Sequence, residues 1–331
     1  MSVVQPILEF FGLREQPFAA TADPAYFYAT REYKECLFRI WTSLEGGHGP
    51  VVVMGAPGMG KTMLLRKVLA DMTRDSHRYN TAVVAFPSPD WTPNELLQDV
   101  VERFGLSAPS DSVGAGLETL NRYLLGNSQR INALVIDDAQ NLSHPDHLEV
   151  LRLTQNLETL QRKLLNLILF AQTEWAEVLC RRPNFAQRLE AVFTLSPLSL
   201  EDARRLIEYR VRRAGAPEGR SLFEEGAVRL VHARSEGTPR TLVSLCRGAL
   251  AIAGRLRSPS VSREIVQYVV NRTTLPASEG MPIVEAEPPA PLAPAPEPEA
   301  PAPRGFRQRI ARAMEERANQ LLLKAGRNRR G

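Results

Sequence analysis

The chain has 331 residues, 44% of them hydrophobic, with a formal net charge of +4, which gives room for one large domain or two modest ones plus tails. No apolar run approaches the roughly 20 residues of a membrane span, and the first residues offer neither a basic nor an apolar signal region. Three scattered cysteines, Cys36, Cys180 and Cys246, argue against a disulfide framework or a metal cluster and suit a reducing, cytoplasmic setting.

Residues 8–28 are aromatic and are broken by Pro17 and Pro24. Such a segment cannot run as a regular helix, yet it is too apolar for a free linker. The expectation is a packed arm lying across the body that follows. Arg31 to Leu44 reads as a helix with Cys36, Leu37, Ile40, Trp41 and Leu44 on one face, stopped by Gly46-Gly47-His48-Gly49. Val51 to Val53 is a short β-branched run, the pattern of a buried strand. It leads into Gly55-Ala56-Pro57-Gly58-Met59-Gly60-Lys61-Thr62, after which Met63 to Leu69 has helical apolar spacing. Strand, glycine loop and helix in this order are the setting of a phosphate-binding P-loop.

The chemistry requires these residue types. Gly55, Gly58 and Gly60 lack a Cβ, so the backbone can turn tightly and bring its N–H groups close to an anion. The helix opening near Gly60 adds unpaired amides and the positive end of its dipole. Residues Gly55 to Met63 are therefore expected to bind ATP, with Lys61 reaching the β- and γ-phosphates and the Thr62 hydroxyl holding one position on Mg²⁺. The alternative is a glycine turn followed by a chance Lys-Thr; the match of every required position in this context argues against it.

Thr81 to Phe86 is a second strand candidate. Thr92-Pro93-Asn94-Glu95 forms a capping box with proline at the first helical position, opening a helix from Glu95 to Phe104. A Ser/Pro/Gly loop from Leu106 to Gly116 precedes a helix from Leu117 to Leu125. Asn132 to Asp137 is a buried strand ending in Asp137-Asp138, where a Walker-B carboxylate is expected. Asp137 would hold Mg²⁺ through water, and Asp138 would orient or deprotonate the attacking water; an incidental Asp-Asp turn is the alternative. His144-Pro145-Asp146-His147 has metal-like spacing without a third ligand nearby and reads as a polar loop. Leu148 to Leu160 continues as a helix, and Leu167 to Ala171 as a strand ending in Gln172-Thr173. A polar side chain at that tip can stand between a γ-phosphate and water, or simply cap the strand. Arg181, Arg182 and Arg188 follow, then a fifth strand near Val192 to Leu195.

From Pro197 the pattern is purely helical. Ser199-Leu200-Glu201-Asp202 caps a helix to Arg213, Ser221-Leu222-Phe223-Glu224 another to Arg234, Thr238-Pro239-Arg240 opens a third, and Ser262 to Asn271 is a fourth. Strands alternating with helices and then helices alone imply a parallel α/β domain carrying a helical lid. The charge is unevenly spread. Residues 304–331 carry nine Arg and Lys against Glu315 and Glu316, a net +7, and residues 276–303 carry five Glu and no base, leaving +2 for residues 1–275. Ten prolines in residues 276–303 make an extended spacer. Beyond it, Phe306, Ile310, Met314, Leu321 and Leu322 fall near one face of an Arg-rich helix pattern. That suits a membrane surface, an anionic partner or nucleic acid; a solvated tail is the alternative. The expected divisions are residues 1–48, an arm and first helix; 49–197, the α/β domain; 198–275, the lid; 276–303, the spacer; and 304–331, the basic tail.

Six motifs occur in order across residues 8–271: Phe10-Phe11-Gly12-Leu13 with Pro17-Phe18 and Asp23-Pro24; Gly55 to Thr62; Leu134-Val135-Ile136-Asp137-Asp138-Ala139-Gln140-Asn141-Leu142; Leu169-Phe170-Ala171-Gln172; Leu195-Ser196-Pro197-Leu198; and Gly237-Thr238-Pro239-Arg240. As an ordered set they resemble the ExeA/GspA-type branch of AAA+ ATPases, related to the transposition ATPases of the TniB and MuB kind. The resemblance implies an α/β P-loop NTPase fold, a parallel five-stranded sheet flanked by helices with a C-terminal all-helical lid; the disordered proline-rich tail is read from composition alone. It implies ATP hydrolysis with Mg²⁺, homo-oligomerisation into a ring or filament, and action on a protein partner in an envelope or secretion machine. The expected setting is cytoplasmic, with attachment at the inner-membrane surface one of the options that residues 304–331 leave open. The transposition relatives supply one alternative, an ATP-dependent DNA-binding regulator; a nucleotide-gated scaffold with very slow hydrolysis is another. The resemblance also makes Gln172 the sensor-1 tip and Arg240 the sensor-2 arginine through which the lid feels the γ-phosphate. Arg188 becomes an arginine finger reaching a neighbouring protomer, with Arg181 and Arg182 as competitors, since a guanidinium fork matches phosphate oxygens.

This chain departs from the pattern twice. Asp138 stands where the family usually has Glu, and a carboxylate about 1 Å out of place can slow the chemistry ~10²-fold. The Pro/Ala/Glu spacer and basic end stand where the secretion relatives have a membrane span and a periplasmic cell-wall-binding domain.

Overall fold

A computed structural model describes residues 5–107, 112–142, 144–217 and 219–273. The apolar runs of the first two thirds of the chain become β1 (Val51–Met54), β2 (Tyr79–Val84), β3 (Ile131–Ile136), β4 (Asn166–Ala171) and β5 (Ala191–Thr194). They pair in parallel in the order β2-β3-β4-β1-β5. A parallel sheet is covered on both faces, which is why β1, β3 and β4 are apolar almost throughout. Alternate residues sort to the two faces. Val51, Val53, Val135, Ile168 and Phe170 join the core beneath α2 (Arg31–Gly46) and α3 (Lys61–Arg74). Val52, Met54, Leu134, Ile136, Leu167 and Leu169 meet α4 (Pro93–Arg103), α5 (Val113–Gly126), α6 (Pro145–Thr154) and α7 (Trp175–Cys180). Each such side chain contributes about 1.5–3 kcal/mol by burial, so a one-residue slip of any strand is strongly opposed. Buried amides pin the same register: Asn80 Nδ2 donates to Asn132 Oδ1 (2.7 Å) and Asn166 Nδ2 to the Asn132 carbonyl (3.1 Å).

After α8 (Pro183–Ala186) and β5, the lid is built from α9 (Leu200–Arg213), α10 (Glu225–Ser235), α11 (Pro239–Arg255) and α12 (Arg263–Thr273). Its core includes Leu206, Ile207, Val228, Leu242, Leu250 and Val266, and it also takes in the start of the chain. Here the expectation for residues 8–28 is corrected. The segment begins inside a regular helix, α1 (Gln5–Phe11), because both prolines lie downstream of it and Gly12 at φ +71 closes it. Most of the arm packs on the lid, where Leu8, Phe11, Leu13, Phe18 and Tyr26 join the lid core, and only its end reaches the sheet domain, where Phe27 joins the core beneath the sheet beside Tyr33. Phe18 meets Phe223 edge to face at 5.6 Å between centroids. The buried Arg210 donates to the Pro17 carbonyl (3.2 Å), and the Arg14 N–H to that of Ala214 (2.7 Å). Further on, Tyr209 donates to the Ala25 carbonyl (3.2 Å) from α9, and Arg66 donates to that of Ala22 (2.9 Å) from α3. The arm thus bridges the lid and the helix that follows the glycine loop.

Other boundaries move for local reasons. α6 stops at Thr154, not Leu160, because the chain doubles back: the Leu164 N–H reaches the Leu157 carbonyl (2.8 Å), leaving Leu160 fully exposed. α5 starts at Val113, four residues early, where the Ser112 hydroxyl caps the Ala115 N–H (3.2 Å). α10 starts after Glu224, since the Ser221 hydroxyl turns to the Phe223 carbonyl (2.8 Å) instead of capping. The Thr92–Glu95 capping box is present. No described helix is long and apolar enough to cross a membrane. The expectations for residues 276–303 and 304–331 lie outside the described residues.

Candidate functional site

β1 lies between β4 and β5, and β3 is next to β4, so the carboxyl ends of β1, β3 and β4 share one edge of the sheet. In open α/β sheets that edge is where ligands bind. The turn leaving β1 is fixed by glycines in the left-handed region, Gly58 at φ +85 and Gly60 at φ +87. Gly60 is also the N-cap of α3, so the amides of Lys61, Thr62 and Met63 open at a helix N-terminus with no intrahelical acceptor. A side chain at Gly60 would meet the Tyr33 hydroxyl at 2.7 Å, and that hydroxyl donates to the Met59 carbonyl at 2.8 Å. α2 therefore braces the loop from behind. The Lys61 ammonium folds back onto the loop, donating to the carbonyls of Gly55 (2.6 Å) and Ala56 (3.1 Å). The result is a narrow cradle of backbone N–H groups with one ammonium at its mouth, chemistry that fits a polyphosphate.

Across from it, the Thr62 hydroxyl donates to Asp137 Oδ2 at 3.3 Å. Two hard oxygen donors side by side, facing a phosphate cradle, match the way Mg²⁺ is held by few protein ligands plus water and phosphate. Asp137 Oδ1 accepts the Asp138 N–H (3.0 Å). Asp138 itself is left-handed, at φ 47 and ψ 40, a conformation that Asp tolerates better than most residues. Its Oδ1 accepts from Gln140 Nε2 (2.9 Å), and Gln140 Oε1 accepts the backbone N–H of Gln172 at the end of β4 (3.0 Å).

The charges answer to burial. Desolvation pushes the Lys61 ammonium below its ordinary value; Arg240 adds to that, while Asp138 and Asp137 pull it back up. Desolvation pushes the Asp137 carboxyl above the ordinary carboxylate range, and the Asp138 charge adds to this. The Asp138 N–H, the Thr62 hydroxyl and Lys61 oppose the rise. A divalent cation at the same place reverses that balance and favours the carboxylate.

The lid closes over the loop. The Arg240 N–H, at the start of α11, donates to the Gly58 carbonyl (3.2 Å), and a Cβ on Gly58 would come within 2.9 Å of Thr238 Cγ2. Of the residues singled out in the sequence, Gly55 to Met63, Asp137, Asp138, Gln172 and Arg240 are thus gathered at one edge. Arg188 is not with them. It precedes β5, where Glu190 N–H bonds to the Pro50 carbonyl at the opposite end of β1, and its guanidinium donates to Asn156 Oδ1 (2.9 Å). Arg181 makes an exposed ion pair with Glu177, and Arg182 precedes α8. Among the described residues no group of His, Cys, Asp and Glu could hold a metal on its own; His147 is spent on the Trp91 carbonyl. Sequence reasoning missed the contacts of Tyr33, Thr238 and Gln140. Only Gln140 carried a signal, its place two residues after Asp138 in a turn.

A family model for the AAA domain matches residues 44–179. General secretion pathway protein A of Aeromonas hydrophila is 33% identical over 254 residues, covering 74% of this chain and 44% of that protein. The chain thus spans less than half the length of that relative. Among solved structures, Cdc6p from Pyrobaculum aerophilum aligns with a TM-score of 0.60 at 19% identity, over 78% of this chain and 74% of that one. Drosophila ORC bound to DNA aligns at 0.58 and 20% identity, over 83% of this chain and 67% of that one. At these identities the structural likeness is one of fold.

Proposed function

Because the chain is an AAA+ ATPase related to general secretion pathway protein A, we propose that it binds ATP with Mg²⁺ at Gly55–Met63 and hydrolyses it to drive assembly and the licensing of a partner machine. The observation that carries this reading is the convergence of three elements on one cradle: Thr62 within 3.3 Å of Asp137, Lys61 at the mouth, and the Arg240 backbone bonded to Gly58 from the lid. Thr62 and Asp137 hold the cation, which when bound neutralises charge on the β- and γ-phosphate oxygens. Lys61 leaves the loop carbonyls for those phosphates. Asp138 orients the attacking water and takes its proton, Gln172 lies beside the γ-phosphate, and Arg240 carries its presence to the lid. Arg188, remote from the site of its own chain, serves a neighbouring protomer in a ring or filament. With Asp in place of Glu at position 138, turnover is slow. The division into arm (1–48), sheet domain (49–197), lid (198–275), spacer (276–303) and tail (304–331) belongs to the same reading. So does a cytoplasmic setting, peripheral at the inner membrane, with a protein partner in an envelope or secretion machine. Phosphate release and sizing with and without Mg²⁺-ATP test it: turnover and assembly should require Mg²⁺ and be abolished by Lys61→Ala. A chain with no affinity for any Mg²⁺-nucleotide would end the reading.

One observation favours a second reading, an ATP-dependent DNA-binding regulator. Residues 198–273 hold fourteen Arg against eight acidic residues, whereas residues 1–197 have a net charge of −4. A basic lid suits a phosphate backbone. Duplex retention with ATP, falling steeply with salt, would support it; none at low salt would remove it.

A further inference from the structure

The Ala139–Asn141 turn after β3 brings Gln140 to the end of the neighbouring strand β4, because Asp138 turns the chain through its left-handed backbone. The Gln140 amide then touches two partners of opposite need. Asp138 Oδ1 can only accept, and takes Nε2 at 2.9 Å; the Gln172 N–H can only donate, and takes Oε1 at 3.0 Å. The two bonds together fix which end of the amide faces which neighbour. A glutamate of the same length would meet Asp138 with like charge, and a leucine would serve neither partner.

We infer that Gln140 is a positioning residue for the reaction: it occupies Oδ1 of Asp138, leaves Oδ2 for the attacking water, and ties that carboxylate to the β4 tip carrying Gln172. The inference rests on the proposed function. Asp138 needs such a brace more than a glutamate would. Its backbone is held by Asp137 Oδ1, but its carboxylate is a methylene short, and a displacement of about 1 Å is worth ~10²-fold in rate.

The test compares wild type with Gln140→Leu, Gln140→Glu, Asp138→Ala and the Asp138→Ala/Gln140→Leu double variant. Three quantities are measured: phosphate release, affinity for a fluorescent ATP analogue, and hydrogen exchange at the Gln172 amide. Gln140→Leu keeps the bulk and loses both bonds; Gln140→Glu keeps the acceptor for Gln172 and repels Asp138. Both should lower kcat by about 10–100-fold and leave nucleotide affinity unchanged. Exchange at Gln172 should quicken only in the leucine variant. In the Asp138→Ala background, Gln140→Leu should cost nothing further, since residues acting as one unit are not additive. Wild-type turnover in Gln140→Glu would mean that Gln140 merely props the β4 tip, and would overturn the inference; an additive loss on top of Asp138→Ala would do the same. The underlying functional reading fails differently. A wild-type chain with no Lys61-dependent turnover removes that reading, and this inference with it.

Discussion

Replacing Gly58 by alanine asks whether the lid truly rests on the glycine loop. Gly58 sits at φ +85, where a Cβ costs about 1–2 kcal/mol. That Cβ would lie 2.9 Å from Thr238 Cγ2 and 3.2 Å from Arg240 Cβ, an overpacking worth about 1–3 kcal/mol more. The sum, about 2–5 kcal/mol, corresponds to roughly 4–20 °C in Tm for a domain of this size. Gly105 supplies the control: its φ is +79, but no atom lies within 4 Å of where its Cβ would stand. Gly105→Ala should therefore show only the backbone part, roughly 2–8 °C. Thr238 makes no side-chain capping bond, so Thr238→Ser removes the offending methyl at little cost of its own. In the Gly58→Ala background it should restore the share of the loss due to that methyl and leave the backbone part and the close approach to Arg240 Cβ. Differential scanning fluorimetry of the nucleotide-free proteins reads all of these. Equal losses for the two glycines, with no recovery from Thr238→Ser, would refute the seating of the lid and the route from Arg240 to the loop.

Asp138→Glu extends the carboxylate by a methylene and should raise single-turnover phosphate release, by up to ~10²-fold; equal rates would remove the explanation for slow hydrolysis. Asp137→Asn should raise the Tm of the nucleotide-free chain near neutral pH while abolishing Mg²⁺-dependent turnover. The sign follows from burial. The folded carboxyl titrates above its unfolded value, so wild type loses stability as pH rises through that window and the advantage of Asn vanishes below it. A Tm difference that is independent of pH, or reversed, would contradict this. Burial pushes the Cys36 thiol up to about 12 and raises Cys246 in the same direction, whereas Cys180 is exposed. Since the thiolate is the reactive form, Ellman's reagent should titrate one cysteine rapidly in the folded chain and all three after denaturation. Rapid reaction of a second thiol in the folded chain would show that one of the two cores is open.

Much of the site was readable from sequence because its signals are local. Gly55 to Thr62 is one uninterrupted turn, and Asp137 ends a run whose apolar character already marks a buried strand. Joining the two needs only the rule that parallel strands present their carboxyl ends on one edge. Tertiary contacts were not readable. Nothing near Thr238 shows that its methyl stands against Gly58, and nothing near Tyr33 announces a bond to Met59. The arm misled for a different reason: Pro17 and Pro24 dominate residues 8–28, yet the helix Gln5–Phe11 lies ahead of both. At α6, Leu157 and Leu160 keep a helical spacing after the backbone has already turned at Gln155, so periodicity overran the true end. Ser221 looked like a cap because its neighbours fit the pattern, but the hydroxyl found a nearer carbonyl at Phe223.

The packing of Phe11 and Phe18 into the lid core joins residues that leave the ribosome far apart in time. Synthesis at about 5–20 residues per second leaves those rings waiting roughly 10–40 s for helices that begin about 190 residues later. In the finished chain so wide a closure adds little, because its entropy grows only with the logarithm of the span. The burden falls on the nascent chain, whose earliest aromatic stretch stays sticky until the last helices emerge and is a natural client for a holdase chaperone.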